Sequence, residues 1–374
     1  MNRKIVFLTG TRADFGKLSP LMDIIEMDSN FECHIFVTGM HTLEKYGNTA
    51  DEVYKKGYKN ITVFNNQDDI IDQEAILANT VTGFSEYVKK ISPDMIIVHG
   101  DKIETLAGAI VGAFNNILVS HIEGGEISGT IDEIYRHCNT KLCTVHLVSS
   151  AEAKSRVVQL GEHPDRVFIM GSPELDTHSK PSGISIDEVR ARYDIPWKEF
   201  GIAIFHPVTS ELSNLRAQAN AFYSTLNESG KNFVIIAPNN DPGKEYIFST
   251  INELPKKQFR LIPSMRFLYF SELLRHAKVL VGNSSAGVRE APFLGLPSLD
   301  IGTRQNKRHS SASIVQATAF EKSVIKDFLG KNWGEKYPKN TFFGTGDSSE
   351  RFERILLGEK LWGLPLQKVF FDGG

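Results

Sequence analysis

Three acidic side chains stand where a parallel sheet would gather them, and carboxyl groups so placed can transfer protons. Asp101 follows the apolar segment Met95–Val98 in the motif His-Gly-Asp. Glu123 follows Ile117–His121 in the motif His-Ile-Glu-Gly-Gly-Glu, and Asp132 opens the next helical segment. Because neighbouring carboxylates raise one another's pKa, one of the three could hold a proton near neutral pH. We therefore expect general acid–base chemistry, although helix capping alone would also explain Asp101 or Asp132.

A polar turn in the C-terminal half of the chain has the composition of a phosphate-binding site. A short apolar strand ending at Val281 precedes the turn Gly-Asn-Ser-Ser-Ala-Gly, and we expect a helix after it. The hydroxyls of Ser284 and Ser285, with the backbone N–H groups of the turn, would bind a phosphate or diphosphate at the helix N-terminus. Glu290, about one and a half turns into that helix, could bind ribose hydroxyls. An ordinary helix start capped by serine explains the same residues equally well.

Other polar residues also follow predicted strands. Arg12, in Thr-Arg-Ala-Asp-Phe-Gly, has a planar guanidinium that can bind two phosphate oxygens. His206 lies just after the strand Phe200–Phe205, Asn239 lies in a polar turn, and Arg304 lies in a basic segment. Each of these residues could be structural or solvated, but the positions of His206 and Arg304 after strands favour a functional role. The Gly-x-Gly-x-x-Gly spacing of dinucleotide binding is absent after the first strand, so NAD is not indicated and we expect no cofactor.

Composition narrows the class of protein. The 374 residues carry a formal net charge of −3, which argues against a nucleic-acid partner. No apolar run reaches the roughly 18 residues that span a bilayer, so we expect no membrane partner. The three cysteines form no Cys-x-x-Cys pair, which predicts a reduced, cytoplasmic protein. His99, His121 and His137 lack the spacing of a metal site, and we predict no catalytic metal.

Short apolar runs alternate with amphipathic segments along the chain, and this alternation predicts an α/β fold. We expect two Rossmann-like, doubly wound domains that face a cleft, because ligands bind at the carboxyl ends of parallel strands. The predicted boundaries are 1–175 for the first domain, which carries the carboxylates, and 176–347 for the nucleotide-binding domain. Residues 348–374 are predicted to form a terminal helix that crosses back to the first domain.

Taken together, the motifs resemble the UDP-N-acetylglucosamine 2-epimerase family. Thr-Arg-Ala-Asp-Phe-Gly, His-Gly-Asp, His-Ile-Glu-Gly-Gly-Glu, Asn-Ser-Ser-Ala-Gly-Val-Arg-Glu-Ala-Pro and Gly-Thr-Arg-Gln occur in the family's order. The resemblance runs from the first strand to about Arg308 and is weaker beyond it. The forms Thr-Arg-Ala-Asp and His-Ile-Glu-Gly-Gly-Glu resemble the hydrolysing branch, which opens bacterial sialic acid synthesis. The implied fold is the two-domain arrangement of GT-B glycosyltransferases.

The resemblance also implies residue roles. Asp101, Glu123 and Asp132 correspond to the catalytic carboxylates, and His206 to a catalytic histidine near the diphosphate. We further predict that three residues around the carboxylates bind substrate: Lys102, Arg136 and His137. The nucleotide-binding positions that the resemblance implies are Arg12, Asn239, Ser284, Ser285, Glu290 and Arg304. The chain departs from many relatives at Lys102, where an arginine is common, and at Ile134 and Tyr135, which leaves the exact sugar open.

The implied reaction converts UDP-N-acetylglucosamine and water into N-acetylmannosamine and UDP by way of a glycal. The implied partners are a UDP-sugar substrate and further copies of the chain in a homodimer or homotetramer. Three alternatives remain. The sugar could be a nucleotide-linked 2,4-diacetamido-trideoxyhexose of legionaminic acid synthesis, or the protein could be a GT-B glycosyltransferase. It could also bind a nucleotide sugar without catalysis.

Overall fold

The computed structural model describes residues 2–44, 49–68, 72–239 and 241–372. By its internal contacts the chain divides into two compact units. The first comprises Met1–Glu126, Asp132–Ser179 and Phe342–Gly374, and the second comprises Ile127–Ile131 and Lys180–Thr341. None of the helices formed by the described residues has the length and apolarity needed to cross a bilayer.

The first unit is built on a parallel sheet of seven strands in the order β3-β2-β1-β4-β5-β6-β7. Its strands are β1 (Arg3–Thr9), β2 (Phe31–Val37), β3 (Asn60–Val63), β4 (Met95–His99), β5 (Leu118–Ile122), β6 (Val145–Val148) and β7 (Val167–Ile169). Successive residues of β1 enter different cores. Ile5 and Phe7 pack into one apolar cluster, while Val6 and Leu8 pack into another. This alternation shows that helices cover both faces of the sheet.

The helices of the first unit connect these strands and close both faces. They are α1 (Arg12–Met27), α2 (Ala50–Tyr54), α3 (Gln73–Ile91), α4 (Ile103–Phe114), α5 (Asp132–Leu142), α6 (Ala151–Gln159), α7 (Glu174–Ser179), α14 (Ser348–Leu357) and α15 (Glu359–Trp362). Helix α14 packs against α1, and its buried Phe352 meets Phe7 with ring centroids 6.4 Å apart. The last helices of the chain therefore complete the core of the first unit.

The second unit repeats the pattern with a parallel sheet of six strands in the order β10-β9-β8-β11-β12-β13. Its strands are β8 (Gly201–Ile204), β9 (Phe233–Ile236), β10 (Phe259–Ile262), β11 (Leu280–Gly282), β12 (Ser298–Ile301) and β13 (Ile314–Ala317). Its helices are α8 (Ile186–Tyr193), α9 (Leu212–Glu228), α10 (Lys244–Asn252), α11 (Phe267–His276), α12 (Glu290–Phe293) and α13 (Lys322–Lys331). Apolar clusters again lie on both faces of the sheet.

Two strands, β3 and β13, lack the apolar run that predicts a buried strand, and both lie at a sheet edge. In β3 every residue is partly or fully exposed, and β13 buries only Ala317. An edge strand with one open side need not be a continuous apolar run, which is why neither strand was predicted.

Candidate active site

The acidic motifs lie where β4 and β5 end, and the backbone there adopts an unusual conformation. Gly100 follows β4 with φ +78°, and Glu123 follows β5 with φ +79°. The left-handed region costs a residue with a side chain of the order of 1 kcal/mol or more, so the structure holds Glu123 against strain. Its carboxylate lies directly beside Gly100, where an added Cβ would be 3.2 Å from Glu123 Oε2. The two strand ends are thus in contact through this carboxylate.

Asp101 forms a tight ion pair with Arg136 of α5. The guanidinium of Arg136 is fully buried, and it also donates to the backbone oxygen of Glu126 at 3.1 Å. A buried guanidinium needs such partners, because an unpaired charge away from water is costly. Arg136 was predicted to bind substrate. The structure places it as the internal partner of Asp101.

The pKa of Arg136 shows that the acidic groups gather around this one guanidinium. Burial pushes the pKa of Arg136 down, but neighbouring carboxylates outweigh burial and raise it. Those carboxylates are Asp101, Glu123, Glu126 and Asp132. All three carboxylates predicted to be catalytic therefore belong to one electrostatic cluster in the first unit, as the strand-end argument anticipated.

The other residues predicted on α5 lie nearer to solvent. Asp132 opens the helix and is 3.4 Å from Lys102 Nζ, and the Lys102 side chain is 43% exposed. His137 is half-buried and lies 3.5 Å from Glu133, one helical turn earlier. Of the three residues predicted to bind substrate around the carboxylates, Lys102 and His137 are thus more exposed than Arg136.

Sequence reasoning missed a histidine–aspartate pair beside this cluster. His99 Nδ1 and Asp14 Oδ1 are 2.9 Å apart, and His99 is buried. Burial pushes the pKa of His99 down, but the hydrogen bond to Asp14 and the charge of Glu123 outweigh it, so the pKa is raised. Both residues belong to motifs already singled out, Thr-Arg-Ala-Asp and His-Gly-Asp. Their pairing was not visible because they are 85 positions apart.

His121 plays a structural part. Burial lowers the pKa of His121 to about 3, so the ring is neutral at pH 7. Its Nε2 lies 2.8 Å from the backbone oxygen of Gly100, which ties the end of β4 to β5. Within the described residues no group of three or more His, Cys, Asp or Glu side chains is arranged to hold a metal ion.

Arg12, the remaining predicted residue of the first unit, opens α1. Its side chain is 21% exposed and lies 3.7 Å from Glu52. The glycine two positions before it, Gly10, is explained by crowding, since a Cβ there would come within 3.0 Å of the Glu104 side chain.

The predicted phosphate-binding turn lies in the second unit, but the helix after it differs from the prediction. Ser284 caps a short 3-10 turn, Ser285–Gly287, and its hydroxyl accepts a hydrogen bond from the backbone N–H of Ala286. The α-helix α12 begins only at Glu290 and ends after four residues. The expectation that Glu290 lies one and a half turns into a helix is therefore wrong. Gly295, with φ +66°, stops the helix early.

Asn283, which sequence reasoning did not select, organises the residues of this turn. Its side chain accepts from the backbone N–H of His206 at 2.6 Å and donates to the backbone oxygen of His206 at 2.8 Å. Its backbone oxygen accepts from Arg304 and from Gln305, each at 3.1 Å. The predicted residues His206 and Arg304 are thus fixed to one point at the carboxyl end of β11.

His206 has its tautomer set by the backbone. The N–H of Asn239 donates to His206 Nδ1 at 3.0 Å, so the neutral ring carries its proton on Nε2. An Nε2–H group can donate to an anionic oxygen. Glu290, five residues after Ser285, is 3% exposed. The second unit therefore assembles hydrogen-bond donors and a cation, as a diphosphate requires, together with a buried carboxylate.

The chain matches a known family along most of its length. The family described as UDP-N-acetylglucosamine 2-epimerase matches residues 23–357. A relative from Neisseria meningitidis serogroup B named UDP-N-acetylglucosamine 2-epimerase is 43% identical over 374 residues, 99% of each chain. A relative from Legionella pneumophila named UDP-N,N'-diacetylbacillosamine 2-epimerase (hydrolyzing) is 30% identical and covers 95% of this chain and 96% of the relative.

The fold also matches a solved structure. The crystal structure of UDP-GlcNAc 2-epimerase from Neisseria meningitidis bound to UDP-GlcNAc superposes with a TM-score of 0.80 at 18% identity. The match covers 95% of this chain and 99% of the other. This similarity confirms the predicted fold class of two parallel sheets with alternating helices.

Proposed function

Because the chain belongs to the UDP-N-acetylglucosamine 2-epimerase family, we propose that it is a hydrolysing 2-epimerase that converts UDP-N-acetylglucosamine and water into N-acetylmannosamine and UDP. The observation that carries the proposal is the gathering of Asp101, Glu123 and Asp132 around the buried Arg136. Inversion at C2 needs one group to remove a proton and another to return it, and this cluster supplies more than one carboxylate for that work.

The first step is an elimination. The bond from C1 of the sugar to the diphosphate breaks, and its electron pair leaves with UDP. A carboxylate takes the C2 proton, and the C–H electrons form the C1–C2 double bond of a glycal. The leaving diphosphate gains negative charge, which His206, Arg304 and the Ser284 turn are suited to stabilise.

The second step is a hydration. A second acidic group returns a proton to C2 from the opposite face, and the electrons of the C1–C2 double bond form the new C2–H bond. Water adds its oxygen to C1 and passes one of its protons to a carboxylate. Atoms balance as one water consumed for each N-acetylmannosamine and UDP released. His99, whose pKa is raised and which lies beside Glu123, is suited to hold or relay one of these protons.

Two observations support the hydrolysing reaction and the sugar. The motifs Thr-Arg-Ala-Asp and His-Ile-Glu-Gly-Gly-Glu resemble the hydrolysing branch. Identity is higher to the relative named for UDP-N-acetylglucosamine than to the one named for UDP-N,N'-diacetylbacillosamine, 43% against 30%. The second sugar remains the alternative substrate because that relative's name includes hydrolysis. By the same resemblance we propose a cytoplasmic homodimer or homotetramer acting in sialic acid synthesis.

Incubation with UDP-N-acetylglucosamine in D₂O, followed by NMR, tests the proposal. We expect free UDP and N-acetylmannosamine with deuterium at C2. Accumulation of UDP-N-acetylmannosamine would instead assign a non-hydrolysing epimerase. UDP release without deuterium at C2 would assign glycosyl transfer or simple hydrolysis, and bound substrate without turnover would assign a sensor. The same assay with UDP-N,N'-diacetylbacillosamine ranks the two sugars by kcat/KM.

A further inference from the structure

The C-terminal tail, defined here as residues 364–371, is tied to the first unit by polar contacts along its length. Arg166 donates to the backbone oxygens of Pro365 at 2.7 Å and Gln367 at 3.2 Å. The N–H of Phe371 donates to the oxygen of Gly161 at 3.0 Å. A segment with this many directed contacts has a fixed position, although several of its side chains are exposed.

The tail residue Lys368 places its ammonium at the end of helix α5. Its ammonium contacts the backbone oxygens of Thr140 at 3.1 Å, Lys141 at 2.9 Å and Cys143 at 2.7 Å. These carbonyls belong to the C-terminal end of α5, where the last four have no partner within the helix. A cation there also complements the negative end of the helix dipole.

The ammonium is held on its other side by a buried carboxylate. Glu162 Oε2 lies 2.6 Å from Lys368 Nζ, and the Glu162 side chain is 1% exposed. Glu162 also contacts Lys141 at 2.8 Å and His146 at 3.1 Å. Removing the Lys368 charge would leave Glu162 in contact with Lys141 and His146.

A continuous chain of contacts leads from the tail to the acid cluster. Lys368 binds the oxygen of Thr140, and the Thr140 hydroxyl donates to the backbone oxygen of Arg136, one turn earlier, at 3.1 Å. Arg136 in turn pairs with Asp101. The helix that Lys368 caps at its end carries Asp132 at its start.

We propose that Lys368 is a positioning residue. Through it the C-terminal tail holds α5 in the position in which Arg136 pairs with Asp101 and Asp132 faces the sugar. The proposal rests on the proposed function for its kinetic consequence. Catalysis is sensitive to placement, since a shift of about 1 Å in a catalytic group can cost on the order of 10²-fold in rate. A tail held by Lys368 restricts such shifts without touching substrate.

The test compares Lys368→Met with Lys360→Met in the full-length protein. Lys360 is the matched control, because it lies in α15, pairs with Asp165 at 2.6 Å and has a side chain that is 58% exposed. We expect Lys368→Met to lower kcat about tenfold with KM and UDP affinity unchanged within about twofold. Lys368→Arg should recover most of the loss, and Lys360→Met should match the wild type.

Hydrogen exchange of α5 provides a readout that does not require turnover. Amides of α5 should exchange faster in Lys368→Met than in the wild type and in Lys360→Met, while those of α4 stay unchanged. Equal kcat and equal α5 exchange in the two lysine variants would overturn the proposal, as would a rise in KM at constant kcat.

Two further outcomes are distinguishable. If the wild type does not turn over UDP-N-acetylglucosamine, the proposed function fails, while the exchange comparison still decides the role of the tail. Should Lys368→Met not fold, Phe370→Ala replaces it. That ring is 68% exposed and packs against Gly161, so its loss loosens the tail without removing a buried charge. It should lower kcat in the same direction, by about two- to threefold, and an unchanged kcat would overturn the proposal.

Discussion

Neutralising Asp101 and neutralising Asp132 should impair catalysis alike but destabilise the protein very differently. Both carboxylates belong to the acid cluster, so Asp101→Asn and Asp132→Asn should each lower kcat about 10²–10⁴-fold while UDP binding persists. The two substitutions differ in how exposed the positive charge is that loses its carboxylate partner. Asp101 pairs with a guanidinium that is fully buried, whereas Asp132 pairs with Lys102, which is 43% exposed.

The size of the difference follows from this exposure. Removing one partner of a buried ion pair costs about 3–5 kcal/mol, because the remaining charge stays away from water. Asp101 is itself 17% exposed, so we expect the lower end, about 3 kcal/mol. A pair near the surface contributes about 1 kcal/mol or less, which is the expected loss for Asp132→Asn.

The assay is urea unfolding read by hydrogen exchange of peptides from the first unit, because the two units need not unfold together. The double variant Asp101→Asn/Arg136→Met removes both charges and should recover part of the stability lost in Asp101→Asn. Equal unfolding midpoints for Asp101→Asn and Asp132→Asn would refute the reasoning. The reasoning would also be refuted if Asp101→Asn/Arg136→Met lost more stability than the two single substitutions lose when added together.

Two further predictions concern the second unit. Burial raises the pKa of Asp300, on β12, from 3.8 to about 7, so the folded state retains a proton that the unfolded state loses as the pH rises from about 4 to 7. The free energy of unfolding should fall over that window by up to about 4 kcal/mol. Asp300→Asn should therefore melt at a higher temperature than the wild type at pH 8, and at the same temperature at pH 4. Melting temperatures of the two proteins that change in parallel with pH would contradict this. Gly282, with φ +128°, would place an added Cβ 1.9 Å from the oxygen of Ile204, so Gly282→Ala should cost at least about 2 kcal/mol and weaken UDP binding in calorimetry. Gly287→Ala is the control for folding, since nothing lies within 3.8 Å of its added Cβ.

The sequence was sufficient for the central strands of the two sheets and for the proximity of Asp101 and Glu123. Buried parallel strands are short apolar runs, and the runs Met95–Val98, Ile117–His121 and Phe200–Phe205 correspond to β4, β5 and β8. Asp101 and Glu123 follow two adjacent strands, β4 and β5, and strand adjacency alone placed their side chains together. These inferences needed only local pattern and the rule that parallel strands end on one edge.

The pairings within the site could not be obtained in the same way. Arg136 was predicted to bind substrate, and only the fold shows that it is buried against Asp101. Asp14 and His99 come from different strand–helix junctions. Asn283 is one of several polar residues in its turn, and its role depends on a contact with the backbone of His206, which is distant in sequence. The local sequence pattern does not predict contacts between residues that are far apart in the sequence.

The length of α12 exposes a different limit. The segment after Gly282 has the composition of a helix start, and Ser284 does cap a turn. Gly295 and the close packing of its neighbourhood then end the helix after four residues, since a Cβ on Gly295 would meet the oxygen of Tyr337 at 2.2 Å. Because four residues carry little helix dipole, any anion bound here must rely on the turn's N–H groups, His206 and Arg304. The proposed phosphate-binding role of this segment therefore depends on donors fixed by Asn283, and not on the helix that first suggested it.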